Sequence, residues 1–317
     1  MILLLELIAL MGTVLGVAAW LAVSAGARWW PGRDGSPAHR ERTARTWLYA
    51  PLWLPLVVLA AAGVARAVAF GADHCLSHTA HHHHLCFLHR PVGHGHAVAW
   101  SIAIAAFAPS VLVLASWLRG AANELRAVRS LVRSSRGSGL GDDVRVLDRP
   151  EPIALTVGWF APTILVSRGL LDAASPSTMD AVIAHERAHV RRRHTMHAFA
   201  DRWVASLLPR RVGQHLVDVL TLAREQRCDA DAAQAVGSRV AVARALTEVA
   251  RLNRDAPRVG ASIDGGDLAA RVRALLAPEP RDTPTTVLPT LAVAAAAFAG
   301  CGPAFVWFEH VVTRILH

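Results

Sequence analysis

At 317 residues the chain has room for two ordinary domains. Hydrophobic residues make up 53% of it, mean hydropathy is +0.33 and only four cysteines occur, which excludes both a plain soluble enzyme and a disulfide-built secreted module. The formal charge of +9 is carried entirely by arginine, and its distribution along the chain fits membrane-flanking loops better than a nucleic-acid surface. Residues 2–24, "ILLLELIALMGTVLGVAAWLAVS", carry a single charge, Glu6, and are long enough to cross a bilayer. No basic stretch precedes them, so a retained helix is expected rather than a cleaved signal peptide. Further spans are expected at 48–70, 97–118 and 287–308, with Pro51, Pro55, Pro109 and Pro303 tolerable in membrane helices and Arg66 close enough to a span end to snorkel.

Arginines orient these spans. The loop 25–47 holds Arg28, Arg33, Arg40, Arg42 and Arg45, and Arg119, Arg126, Arg129, Arg133 and Arg136 follow the third span, whereas 71–96 holds only Arg90. The positive-inside rule then puts the N-terminus and the loop 71–96 outside, and the basic loop 25–47 and the long segment 119–286 in the cytoplasm, with a short tail at 309–317. Within 119–286, residues 120–133 read as an amphipathic helix with Leu125, Val128 and Val132 on one face. "RSSRGSGLGDD" (133–143) reads as a linker, and "VRVLD" (144–148), "IALTV" (153–157) and "TILVS" (163–167) as short strands. Ser175 or Ser177 can cap a helix opening near Pro176, and further helices fit 212–236, 238–253 and 267–276.

The helix opening near Pro176 carries "AVIAHERAHVRRRH" (181–194). His185 and His189, four apart, stand about 40° apart around a helix, so both imidazoles can reach one point. His-Glu-x-x-His supplies two corners of a zinc site, with Glu186 placed as general base. A catalytic zinc takes three protein ligands and keeps one position open for water, which it activates at neutral pH. Thirty-six residues after His189, in "AREQRCDADAAQAVG", Glu225 and Asp229 share a helix face and offer a third ligand and a carboxylate to orient a ligating histidine. Charges of this kind are ordinarily a solvated helix face paired with Arg224 and Arg227; the upstream motif at a workable distance favours the metal reading. Cys228 as a fourth ligand would close the site to water, so a buried structural thiol is expected there. His194 and His197 read as surface residues continuing the same helix.

"AVIAHERAH" followed by "EQRCD" resembles the gluzincin membrane metallopeptidases, and most nearly the BlaR/MecR-type antirepressor peptidase family. "EPIALTVGWFAPTILVSRGLLD" (151–172) is similar to that family's segment before the zinc helix, with Pro152, Gly158, Pro162 and "ILVS" matching as they stand. The heat-shock and prenyl-protein-processing membrane peptidases share the zinc residues. The resemblance covers roughly 120–284 and the membrane arrangement. It implies a mainly α membrane protein of four transmembrane helices, with an α+β gluzincin-like zinc peptidase domain between the third and fourth. It also implies one Zn²⁺ held by His185, His189 and Glu225, with Glu186 as catalytic base and Asp229 behind the ligands. The implied substrate is a protein, either a winged-helix transcriptional repressor or the chain itself. The best-known antirepressors carry a penicillin-binding sensor domain after the last span; this sequence ends at His317, so a β-lactam signal is not expected.

"DHCLSHTAHHHHLCFLHRPVGHGH" (73–96) holds nine of the 17 histidines between and around Cys75 and Cys86. It is expected outside the membrane, where the two cysteines could pair and the imidazoles could take a transition metal; a flexible polar loop is the plainer alternative. Two other functions remain open at this point: quality control of membrane proteins by the same zinc site, and a non-catalytic metal-sensing receptor. The intact Glu186 speaks against the receptor. No direct nucleic-acid partner is expected, since juxtamembrane arginines account for the basic flank at 119–136.

Overall fold

The computed structural model describes residues 20–21, 23–26, 35–69, 96–255 and 265–278. Among the described residues no helix is long and apolar enough to cross a membrane. The span 287–308, the tail, most of the span 2–24 and most of the histidine-rich loop with Cys75 and Cys86 lie outside the described residues, as do many side chains of the expected spans 48–70 and 97–118. The chain divides into two units. Met1–Trp29, Tyr49–Ser116 and Pro284–His317 form one, whose described part is helical. Trp30–Leu48 and Trp117–Thr283 form the other, so part of the expected cytoplasmic loop 25–47 belongs to the peptidase-like unit rather than standing apart from it.

In chain order the elements are α1 (Pro37–Ala69), α2 (His96–Ser134), β1 (Arg136–Gly137), β2 (Val144–Leu147), β3 (Ala154–Val157), β4 (Thr163–Ser167), α3 (Arg168–Ala173), α4 (Pro176–Arg191), α5 (His194–Ser206), α6 (Arg210–Val236), α7 (Arg239–Asp255) and α8 (Gly265–Leu276). The three expected strands form within a residue or so of their sequence positions. The amphipathic helix at 120–133 is the end of α2, and β1 adds a two-residue strand inside the expected linker.

The sheet runs β1-β2-β4-β3, with β2 parallel to β4 and the two outer pairs antiparallel. Alternation divides its side chains between two faces. Val144, Ile164 and Val166 pack with Leu170, Met179 and Ile183 of α3 and α4, while Leu147, Val157 and Leu165 pack against Val128, Leu131 and Val132 of α2. Ile164, Leu165 and Leu170 are fully buried, each worth about 1.5–3 kcal/mol of transfer from water. The β3–β4 turn depends on Gly158, whose φ of +94° favours glycine and whose added Cβ would stand 2.7 Å from the Ala161 carbonyl oxygen. The outer edge of β3 is therefore set beside α4, with Thr156 on the helix side.

A third cluster, Ala181, Ala232, Ala233, Val242, Ala243, Ala245 and Leu275, joins α4, α6, α7 and α8. Its small side chains let the helices approach closely. α6 stops at Gly237, in the left-handed region at φ 72°. α4 starts at Ser175, whose hydroxyl accepts from the Thr178 N–H, with Pro176 at the first turn.

Glu248 of α7 finishes that cap. Its carboxylate accepts from the Ser175 N–H at 2.9 Å and from the Thr178 hydroxyl at 2.7 Å. These bonds hold its carboxyl below the ordinary value of 4.5, so the stability they lend is complete above that pH and is lost as the pH falls beneath it. Glu248→Gln is expected to lower the urea midpoint at pH 7, with the gap from wild type narrowing as unfolding is repeated at pH values progressively below 4.5.

Candidate functional site

α4 carries His185, Glu186 and His189, and α6 brings Glu225 and Asp229 against them. The Nε2 atoms of the two histidines are 3.1 Å apart. Glu225 Oε2 lies 3.4 Å from the first and Oε1 3.4 Å from the second. A tetrahedral zinc with bonds of about 2.0–2.2 Å needs neighbouring donors about 3.4 Å apart. Each imidazole has one Glu225 oxygen at that distance, and one donor atom from each of the three residues lies within 4.8 Å of the others. All three residues are partly buried and offer a donor each to a common point. Charge agrees with size. Glu225 and Asp229 share one buried guanidinium, that of Arg271, and the negative charge this group retains is of the kind a divalent cation offsets.

The surroundings orient the donors. Asp229 Oδ1 stands 2.9 Å from His185 Nδ1, although the ring N–H is not aligned for a straight hydrogen bond. Burial opposes a charge on His185, but Asp229 and Glu225 overcome it and push its pKa up to about 10, so a proton and a metal ion compete for this imidazole. Arg271 of α8 donates to both oxygens of Asp229 at 2.8 and 2.7 Å and forms an ion pair with Glu225, its Nη1 3.0 Å from Oε2. Against its burial, these partners hold Asp229 below the ordinary carboxylate range.

Glu186 is buried and accepts from the Thr156 hydroxyl at 2.7 Å, which fixes its carboxylate beside the histidines. Thr156, Val157 and Gly158 from the sheet edge, His189, Glu225, Ala198 and Arg202 are among the residues lining a cleft of about 260 Å³. Trp159 stacks on Phe199 at 4.3 Å and donates to Glu124 at the same cleft.

The structure thus brings together all five residues singled out in the sequence. It corrects the place of His194, which begins a new helix after Arg193 turns the backbone to φ +50°. His194 is buried rather than superficial, and its Nδ1 lies 3.2 Å from Nδ1 of His189 and 3.4 Å from the Cys228 sulfur. With His189 Nε2 kept as a lone-pair donor, the His189 Nδ1–H donates to His194, the counterpart of Asp229 behind His185. His189, His194 and Cys228 form a second group with metal-ligating atoms. It fits a metal less well: Cys228 is fully buried, and burial pushes its thiol far up, away from the thiolate a metal needs. Cys228 is the buried thiol the sequence led one to expect. Sequence reasoning missed Arg271, Thr156 and His194.

A helix pair presenting two histidines and two carboxylates beside a sheet edge is the arrangement a metallopeptidase needs. The sequence pattern of peptidase family M48 matches residues 121–283, just over half of the chain, and the chain belongs to that family, whose members are zinc metallopeptidases. Comparison with curated proteins and with solved structures gives no match.

Thr156→Val keeps the shape of the side chain and removes its hydroxyl. A hydrogen bond to a charged group is worth about 1.5–3 kcal/mol, so kcat is expected to fall about tenfold or more with bound zinc unchanged, and Thr156→Ser to restore most of it. Steady-state kinetics and metal analysis of the same preparations check this.

Proposed function

We propose that this chain is a multi-pass membrane zinc endopeptidase whose site faces the cytoplasm and whose cleavages are regulatory. The carrying observation is the triangle of His185, His189 and Glu225 with Glu186 hydrogen-bonded beside it. These three residues would hold the zinc. When bound, zinc polarises the scissile carbonyl and makes water a competent nucleophile near neutral pH. Glu186 takes the proton of the attacking water and passes it to the amide nitrogen as the C–N bond breaks, leaving a carboxylate and an amine. Thr156 keeps the base aimed during both transfers.

β3 pairs with β4 on one side only, and Thr156 and Val157 at its end line the cleft. An extended peptide can add to that edge by backbone hydrogen bonds, a mode that needs no free chain end. This supports endopeptidase activity on unfolded or flexible segments of proteins.

Two observations support the membrane setting. Arginines concentrate at 25–47 and after 118, and the large apolar side chains Leu52, Val57, Val111, Leu112 and Leu114, on the stretches expected to span, are exposed. The likeness to BlaR/MecR-type antirepressor peptidases supports a regulatory target, a winged-helix repressor or the chain itself. On the outer side the histidine-rich loop would then be the segment open to a transition metal.

Glu186→Gln separates binding from chemistry. The variant is expected to retain about one zinc per chain while cleavage of a fluorogenic casein falls by about 10³-fold, the scale of a lost general base. Equal cleavage by variant and wild type would remove the proposed role.

A further inference from the structure

Residues 35–48 lie far outside the segment that matches the peptidase family, yet they belong to the same unit as the site. Their contacts with α6 converge on Arg224, Gln226 and Arg227, within one four-residue stretch. Glu41 is buried and accepts from Arg224 Nε at 3.3 Å, from Arg227 through a short bond, and from Arg45 at 3.2 Å. Arg40 donates a short bond to the Gln226 side chain, whose amide in turn donates to the Ala270 carbonyl. Arg224 is also held by Asp201 of α5. The remaining residue of this stretch, between Arg224 and Gln226, is Glu225.

We infer that Glu41 is a positioning residue for the zinc site, fixing the rotation of α6 through Arg224 and Arg227 so that Glu225 meets His185 and His189. This rests on the zinc peptidase reading above. At about 100° per residue, Arg224 and Arg227 share one face of α6 and Glu225 with Asp229 another. A helix is about 10–12 Å across with its side chains, so a rotation of about 10° displaces the Glu225 carboxylate by about 1 Å. Displacements of that size cost up to about 10²-fold in rate. Without Glu41 the back face of α6 would keep the Asp201–Arg224 and Arg40–Gln226 contacts but lose the one buried carboxylate that ties arginines of adjacent turns together and so narrows its angular setting. Against its burial, Arg227, Arg224 and Arg45 keep Glu41 ionised, below the ordinary carboxylate range.

The test uses the full chain in detergent, loaded with zinc, as wild type, Glu41→Gln, Glu41→Asp and Arg227→Gln. Glu41→Gln should fold, because Asp201 still neutralises Arg224 and Arg227 is partly exposed. Zinc release to a chromogenic chelator, kcat and KM on fluorogenic casein, and thermal unfolding are measured on each. Expected for Glu41→Gln are a kcat about tenfold lower, a KM within about twofold of wild type and zinc release about tenfold faster. Glu41→Asp should recover part of both losses, and Arg227→Gln should move both in the same direction by less.

Wild-type kcat and zinc release per folded Glu41→Gln molecule, whatever its melting temperature, would overturn the inference. If Glu41→Gln does not fold, Arg227→Gln decides by the same two readouts. A wild type that neither retains zinc nor cleaves casein overturns the peptidase reading and this inference together; an active, zinc-loaded wild type with an indifferent Glu41 overturns only this one.

Discussion

One constraint governs the rest of the structure: α4 and α6 must meet at a fixed rotation, because the two imidazoles come from one helix and the carboxylate from the other. Residues four apart give each helix a stripe only about 40° wide, His185 with His189 on α4 and Glu225 with Asp229 on α6. Bringing the stripes together crowds carboxylates into a buried space, and such groups persist there only when opposite charge or hydrogen-bond donors meet them. The remaining polar residues answer that need in turn. Arg271 bridges Asp229 and Glu225, Thr156 donates to Glu186, and His194 stands behind His189.

Much of this was legible in the sequence because it rests on local periodicity. The i, i+4 spacing marked both stripes, β-branched runs between Pro and Gly marked the strands, and Ser175-Pro176 marked a helix start. What escaped notice depends on contacts that no local pattern announces. Arg271 lies 42 residues beyond Asp229 in "DLAARVRALL", two positions from the exposed Arg273. One signal was present: Leu268, Arg271, Val272 and Leu275 fall on one helical stripe, and an arginine within an apolar stripe requires a buried partner. His194 was misplaced because neither Gly nor Pro breaks the run "HVRRRH"; the backbone turns at Arg193 instead, a residue type rarely found at positive φ.

The segment before residue 48 illustrates the same difficulty. Its arginines made it look like a basic loop between spans, and basic residues do dominate it. Yet Glu41, Ala44 and Leu48, spaced three and four apart, are all buried. The stripe is hard to see because its first member is charged, and a hydrophobicity pattern discounts the residue that in fact anchors it.

Why charge should be used there at all is a question of specificity rather than strength. Replacing a buried ion-pair cluster by well-packed apolar side chains is often neutral or stabilising, so Glu41, Asp201, Arg224 and Arg227 are poorly explained as contributors to stability. Apolar packing, however, tolerates small rotations, since its energy varies gently with angle and neighbouring side chains adjust. Hydrogen-bonded charges do not tolerate them, because a lost partner leaves a buried ion exposed to the full cost of desolvation. At the site face of α6 the same rule applies to Glu225 and Asp229 through Arg271. The helix is thus held by directional charge contacts on two faces, one belonging to the residues that match the peptidase family and one reaching back to Glu41. A metal site built from two helices needs its angular setting defined to within a few degrees, and fixing both faces by polar contacts achieves this without relying on the small alanines that line the rest of the interface.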